Sequence, residues 1–143
     1  MKNPPEILLG FDFGMKRIGV AVGQTVTKTA RPLATIQAVG GTPQWDDIKK
    51  VVATWHPDAL VIGIPFNMDG SEQPLTQAAK RFAEALKQQC QLPVFGIDER
   101  LSSVAAKDKV FSSGGYKALK KTQIDSVAAQ LILQNWLDQF GKN

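Results

Sequence analysis

One cysteine and one histidine are all that the 143 residues hold of the two residue types behind most soft-metal and much nucleophilic chemistry. Cys90 alone can form neither an internal disulfide nor a thiolate metal cage. With His56 as the sole imidazole, the several His or Cys ligands of a zinc hydrolase are missing, and a Ser-His-Asp triad is excluded unless His56 is its base. Long apolar runs are lacking too. The longest, residues 59–65, is broken by Gly63 and falls far short of the roughly 20 residues a membrane span requires. Lys2, Pro4, Pro5 and Glu6 precede only a short apolar stretch; no apolar centre or small-residue cleavage site of an export signal is visible, so a cytoplasmic location with no membrane partner is expected. Aromatic residues are an ordinary 8% with no aromatic-rich motif, which leaves single-strand recognition of the RRM type unsupported.

Hydrophobic residues at 43% and charged residues at 21% match an ordinary globular chain and not a disordered one. The length suits a single domain over residues 1–143, since single domains run to roughly 100–200 residues. Lys plus Arg number 17 against 13 for Asp plus Glu, a net charge of +4, which leans toward a polyanionic partner without naming one. Because His and Cys are so scarce, any metal would rest on carboxylates and would be Mg²⁺ or Mn²⁺.

Residues 7–13 are apolar apart from Gly10 and Asp12, the pattern of a strand covered on both faces. After the short turn at Gly14, Met15 and Lys16, the residues Ile18, Val20 and Val22 alternate with Gly19, Ala21 and Gly23, which predicts a hairpin, with residues 30–36 as its third strand. Thr42 is a good helix cap with Pro43 at the first helical position, and Trp45, Ile48, Val52 and Trp55 follow at helical spacing up to His56-Pro57. A buried strand is expected over 58–65, a polar loop over 67–74, and a helix carrying Leu75, Ala79, Phe82 and Leu86 on one face. Residues 93–97 predict a fifth strand, 102–111 a short helix, 112–121 a mobile basic loop and 123–140 a last helix. The fold class is α/β, a mixed five-stranded sheet with helices on its faces.

Asp12 stands out first, because a carboxylate inside an apolar strand is costly to bury unless it is paired or bound to a cation. Strand alternation puts Gly10, Asp12 and Gly14 on one side, leaving room beside the acid for backbone or phosphate. The plainer reading is an ion pair with Lys16 or Arg17 at the strand end. Asp98-Glu99-Arg100 follows the fifth strand, at the edge where parallel strands face ligands; alternation lets only one of the two acids point at a given metal, and alone the triplet reads as a solvated turn. Asp125 fits a capping-box-like pattern with Thr122, yet it shares a helical stripe with Ala128, Ala129, Ile132 and Trp136 and so projects from the face that packs on the sheet. Capping and ligation both suit it.

Three acids that the topology can bring together would repel unless cations lay between them. Two Mg²⁺ or Mn²⁺ ions about 4 Å apart would activate water and stabilise the leaving oxygen in an in-line attack on a phosphodiester, chemistry that needs no histidine or cysteine. Lys16, Arg17, Arg100, Lys117, Lys120 and Lys121 would then serve as salt-sensitive contacts to a nucleic-acid backbone, although each lysine could equally serve solubility. Asn67-Met68-Asp69-Gly70-Ser71 lies between a strand and a helix, where backbone amides can receive a phosphate; the alternative is a turn built on Asp-Gly chemistry.

The run from Gly10 through Asp12-Phe13-Gly14-Met15-Lys16-Arg17 to Ala21 resembles the opening signature of the YqgF/RuvX family. Ile62-Gly63-Ile64-Pro65-Phe66-Asn67-Met68-Asp69-Gly70-Ser71, Asp98-Glu99-Arg100-Leu101-Ser102-Ser103, and Lys120-Lys121 followed by Asp125-Ser126-Val127-Ala128-Ala129 are similar to its later motifs in the same order. The resemblance covers residues 7–136, and the combination is far more specific than any piece. It implies an RNase H-like fold and a nuclease that matures the 5′ end of pre-16S rRNA in ribosome biogenesis, with pre-rRNA or ribosomal precursor particles as partner. It also implies Asp12, Glu99 and Asp125 as the metal and catalytic positions, with Asp98 the less favoured of the adjacent pair. Junction resolvases of the RuvC type differ at two places. Gly63-Ile64-Pro65 holds no acid, and Ala128 stands where a further aspartate is expected.

Three readings therefore stand beside one another: a metal-dependent nuclease acting on structured RNA, a Holliday junction resolvase-like DNA nuclease, and a non-catalytic RNA-binding assembly factor of the same fold. Asp12-Phe13-Gly14 with Gly19 is also similar to the phosphate loop of the actin and Hsp70 group, but those ATPases need two such domains and this chain has room for one.

Overall fold

The computed structural model describes residues 5–101 and 124–140. Its elements are β1 (Ile7–Asp12), β2 (Arg17–Gln24), β3 (Thr29–Val39), β4 (Thr42–Pro43), α1 (Trp45–Trp55), β5 (Ala59–Ile64), α2 (Pro74–Cys90), β6 (Val94–Asp98), a 3-10 turn (Glu99–Leu101) and α3 (Ile124–Gln139). One sheet runs in the order β4-β3-β2-β1-β5-β6. β1, β2 and β3 form an antiparallel meander, while β5 and β6 continue from β1 in parallel. The C-terminal ends of β1, β5 and β6 therefore share one edge of the sheet, and Asp12 and Glu99 stand there.

Period-two alternation divides the core between the two faces of the sheet. Leu9, Phe11, Ile18, Val20, Leu60 and Ile62 pack with Ile48 of α1 and with Ala79, Phe82 and Leu86 of α2. Leu8, Ala21, Ala59, Val61 and Ile97 pack on the other face with Ala129, Ile132, Leu133 and Leu137 of α3. Glycines open the second face where α3 comes closest to it. A Cβ at Gly10 would lie 2.7 Å from the Leu133 Cβ, so glycine here permits close docking of helix on sheet.

Two sequence expectations change. Among the described residues the sheet has six strands, not five, and α1 begins at Trp45 instead of using Thr42 as cap and Pro43 as first residue. Gly40 and Gly41 both adopt positive φ, 58° and 84°, the conformation a tight hairpin turn requires. That turn folds Thr42 and Pro43 back onto Val39 and Ala38 as a sixth, two-residue strand. Gln44 takes the position before α1, with its amide bonded to the Gln37 carbonyl at 3.0 Å.

The remaining helices follow the sequence pattern. α1 ends with His56 in the left-handed conformation, its amide bonded to the Val52 carbonyl. α2 starts at Pro74 with a capping box between Gln73 and Thr76, and the Thr76 hydroxyl also donates to the Pro65 carbonyl, tying the helix to the end of β5. α3 is buried over most of its circumference. Its polar residues are used: Gln134 accepts from the Ala30 amide (3.1 Å) and donates to the Lys28 carbonyl (2.7 Å), and Gln130 donates to the Ala30 carbonyl (2.9 Å). These side chains substitute for a neighbouring strand along β3. The helix expected over 102–111, the basic loop over 112–121 and the cap at Thr122 lie outside the described residues. Among the described residues no helix is long and apolar enough to cross a membrane.

Candidate active site

Two glycines let three distant acids approach one another. Asp12, the last residue of β1, stands opposite Gly19 of β2. The first turn of α3 rests on that same glycine, since a Cβ at position 19 would fall 1.8 Å from the Asp125 main-chain oxygen. Glu99, the residue directly after β6, folds back over β5: a Cβ at Gly63 would lie 2.6 Å from Glu99 Oε1. Gly63 is one residue beyond the Phe11–Ile62 pair of the β1/β5 ladder, hence beside Asp12. The sequence contained this signal in the glycines that alternate with β-branched residues through β2, which mark a face stripped for a helix.

Burial pushes the Asp12 carboxyl up to about 7, and the charges of Glu99 and Asp125 reinforce the effect. The protonated Asp12 carboxyl donates a hydrogen bond to Glu99. Glu99 is itself raised above the ordinary carboxylate range, first by burial and further by Asp98, with the bond from Asp12 opposing. Asp125 is engaged differently: Arg17 Nε donates to its Oδ2 at 3.0 Å. Arg17 thus pairs with Asp125, not with Asp12 as the plainer sequence reading had it. The raised Asp12 carboxyl and the Arg17 guanidinium both ease the repulsion among the three acids.

The donor set is all oxygen, which suits Mg²⁺ or Mn²⁺ over softer ions. The hydrogen bond between two acids marks a place where positive charge is needed, and a cation there would replace the proton. Among the described residues no three acidic, histidine or cysteine side chains are already set around one ion, consistent with Asp125 being turned to Arg17. The residues fit a divalent cation in chemistry, with Asp12 and Glu99 converged and Asp125 adjacent.

Asp98 lies apart from this group. Arg100 grips it through Nε, 3.1 Å from both oxygens, and through Nη2 at 2.6 Å. Those bonds hold Asp98 below the ordinary carboxylate range. Arg100 also donates to the Met68 carbonyl and lies over the Phe66 ring, 5.5 Å from its centroid. The loop at Asn67 is closed on itself. The Asn67 amide bonds to the Ser71 carbonyl, the Gly70 amide to the Asn67 carbonyl, and the Ser71 amide to Asp69 Oδ1, each at 2.9 Å. These three amides are therefore committed within a turn around Gly70, where φ is 90°. The Asn67 side-chain amide donates to the Ser71 hydroxyl at 3.0 Å. Lys16 is exposed on the turn before β2. Lys117, Lys120 and Lys121 lie outside the described residues.

A mixed sheet of this order, with acids at the C-terminal edge of β1 and β6 and a helix crossing one face, defines a protein of the RNase H-like fold. Solved structures share it: RuvC of T. thermophilus in complex with a Holliday junction substrate has a TM-score of 0.58 at 15% identity, covering 94% of this chain and 96% of that one. The fowlpox virus Holliday junction resolvase has a TM-score of 0.54 at 15% identity, covering 94% and 99%. Sequence similarity is much closer within one family. The model of RuvX, described as Holliday junction resolvase, matches residues 6–139, and the chain belongs to that family. A Haemophilus ducreyi protein named "Putative pre-16S rRNA nuclease" is 53% identical over 131 residues, 92% of this chain and 95% of its own. A Legionella pneumophila (strain Lens) protein of the same name is 52% identical over 136 residues, covering 95% and 98%. The family is one of nucleases, hydrolases acting on ester bonds.

Proposed function

We propose that this chain is a metal-dependent nuclease which, as one RNase H-like domain in the cytoplasm, processes the 5′ end of pre-16S rRNA during ribosome biogenesis. The observation that carries this reading is the hydrogen-bonded Asp12–Glu99 pair with Asp125 beside it, at the sheet edge where three parallel strands end. Asp12, Glu99 and Asp125 hold Mg²⁺ or Mn²⁺. Such ions, when bound, supply the charge that activates water and steadies the departing oxygen. Burial keeps the carboxylates in fixed positions, and the glycines at 19 and 63 set their separation. Lys16, Arg17, Asn67, Arg100, Lys117, Lys120 and Lys121 contact the nucleic acid, the cations through its phosphates. The names of the two relatives described above support RNA as substrate over a DNA junction.

The test is a cleavage panel of precursor rRNA, single-stranded RNA, single-stranded DNA and a four-way junction, with Mg²⁺, Mn²⁺ or EDTA and with Asp12→Asn as control. Cleavage of the precursor that needs metal and Asp12 is the expected result. Equal cleavage in EDTA, or by Asp12→Asn, would overturn the metal mechanism. Preference for the junction would move the substrate to DNA. Tight RNA binding without products under any metal would leave a binding protein.

A further inference from the structure

Two arginines stand at this edge, and they are held in very different ways. The Arg100 side chain is locked, with three contacts to Asp98, a fourth to the Met68 carbonyl and a ring beneath it. Among the described residues Arg17 makes a single polar side-chain contact, from Nε to Asp125 Oδ2 at 3.0 Å. Its side chain is 46% exposed and that of Asp125 24%, so the pair sits at the mouth of the site. Exposed pairs of this kind contribute little and break readily. Arg17 starts β2 two residues before Gly19, so alternation points it to the same face, toward the first turn of α3 that Gly19 supports. Its guanidinium offers five donors, a fork suited to phosphate oxygens, and the Asp125 contact uses one of them.

Resting on the metal site proposed above, the geometry points to Arg17 as a removable counter-cation: it occupies Asp125 while no ion is bound, yields that carboxylate to a divalent cation, and turns its freed guanidinium to the substrate phosphate. Metal loading and phosphate binding are thereby coupled through one side chain. An arginine needed only for structure would show the opposite behaviour, since its loss would misplace Asp125 and weaken ion binding.

The test measures Mn²⁺ binding directly, by calorimetry without nucleic acid, for the wild type, Arg17→Gln and Arg17→Lys, with circular dichroism melts to confirm folding. Arg17→Gln is expected to bind Mn²⁺ about two- to fivefold tighter, in keeping with removal of a partly exposed competitor, and Arg17→Lys to stay near the wild type. A second measurement follows a short single-stranded RNA with and without Ca²⁺ in place of Mn²⁺. The wild type gains RNA affinity on adding the ion, whereas Arg17→Gln gains less. Unchanged or weaker Mn²⁺ binding by Arg17→Gln, with a wild type that does bind, overturns the role of Arg17 and leaves the metal site standing. Failure of the wild type to bind Mn²⁺ overturns both.

Discussion

The main-chain oxygen of Asp125 lies so close over Gly19 that a methyl group at position 19 would fall 1.8 Å from it. Because Gly19 also faces Asp12 across the β1/β2 ladder, one contact sets both how deeply α3 docks and how near the two acids come. The atom it meets belongs to backbone, which cannot swing aside. Gly19→Ala is therefore expected to lift the first turn of α3, costing about 3 kcal/mol by the usual scale of overpacking and abolishing cleavage. Urea denaturation of the variant checks the first, and a wild-type midpoint would contradict it.

Gly63→Ala should separate activity from stability. A Cβ there would lie 2.6 Å from Glu99 Oε1 and 2.6 Å from Ile132 Cδ1, both ends of flexible side chains. They can move, so the fold should survive at a cost of about 1–2 kcal/mol. The displaced Glu99 carboxylate is another matter, since a shift on the order of 1 Å at a reacting centre can cost about 100-fold in rate. A folded Gly63→Ala protein with full cleavage would show that Glu99 does not act from that position.

The adjacent acids Asp98 and Glu99 should behave very differently. Asp98 is held by Arg100, whereas Glu99 accepts the hydrogen bond from Asp12. Asp98→Asn is expected to keep cleavage within about threefold, while Glu99→Gln should lose more than the roughly 10- to 100-fold that follows loss of an outer-shell partner. Single-turnover rates for the two variants decide the matter, and the reverse order would exchange their roles.

Much of the fold could be read from the chain because its signals are local. The continuous apolar runs of β1 and β5, the helical spacing of α1 and α2 and the stop at His56 all appear as expected. β4 does not show in the sequence pattern because the turn chemistry of Gly40-Gly41 competes with the helix-start chemistry of Thr42-Pro43, and tertiary pairing with β3 decides for the turn. Asp12 declares itself as a lone acid in an apolar strand. Its surroundings do not: Arg17 bonds an acid 108 positions away instead of its neighbour in sequence, and the buried Gln130 and Gln134 acquire a purpose only once β3 lies beside α3. Such pairings depend on the assembled sheet, which no spacing rule contains.

Lys120→Ala combined with Lys121→Ala tests the basic segment whose residues are outside those described. If both contact phosphate, the slope of log affinity against log salt should flatten by about 1.4–1.8, since each contact contributes roughly 0.7 for a single strand and 0.9 for a duplex. Fluorescence anisotropy over a salt series gives the slope. An unchanged slope removes both lysines from the interface.

Asp12→Asn should make the ion-free protein more stable while abolishing its chemistry. The Asp12 carboxyl has an ordinary value of 3.8 and is pushed up to about 7 in the folded chain by burial and by its two acidic neighbours. Below pH 4 the folded and unfolded states both hold the proton, and the group contributes nothing. Between pH 4 and 7 the unfolded chain releases the proton and the folded chain keeps it, so stability falls as pH rises; above pH 7 the full cost persists. Undiminished, the difference corresponds to about 4 kcal/mol, and relaxation around a partly accessible site lowers it to the order of 1–3 kcal/mol. In EDTA at pH 8, Asp12→Asn should therefore melt above the wild type, with the gap closing toward pH 4. Saturating Mn²⁺ should reverse the order, because an ion that binds only the folded wild type stabilises it by mass action. Equal stability at pH 8 in EDTA, or a gap that widens toward acid, would contradict the strained carboxyl pair at the centre of the site.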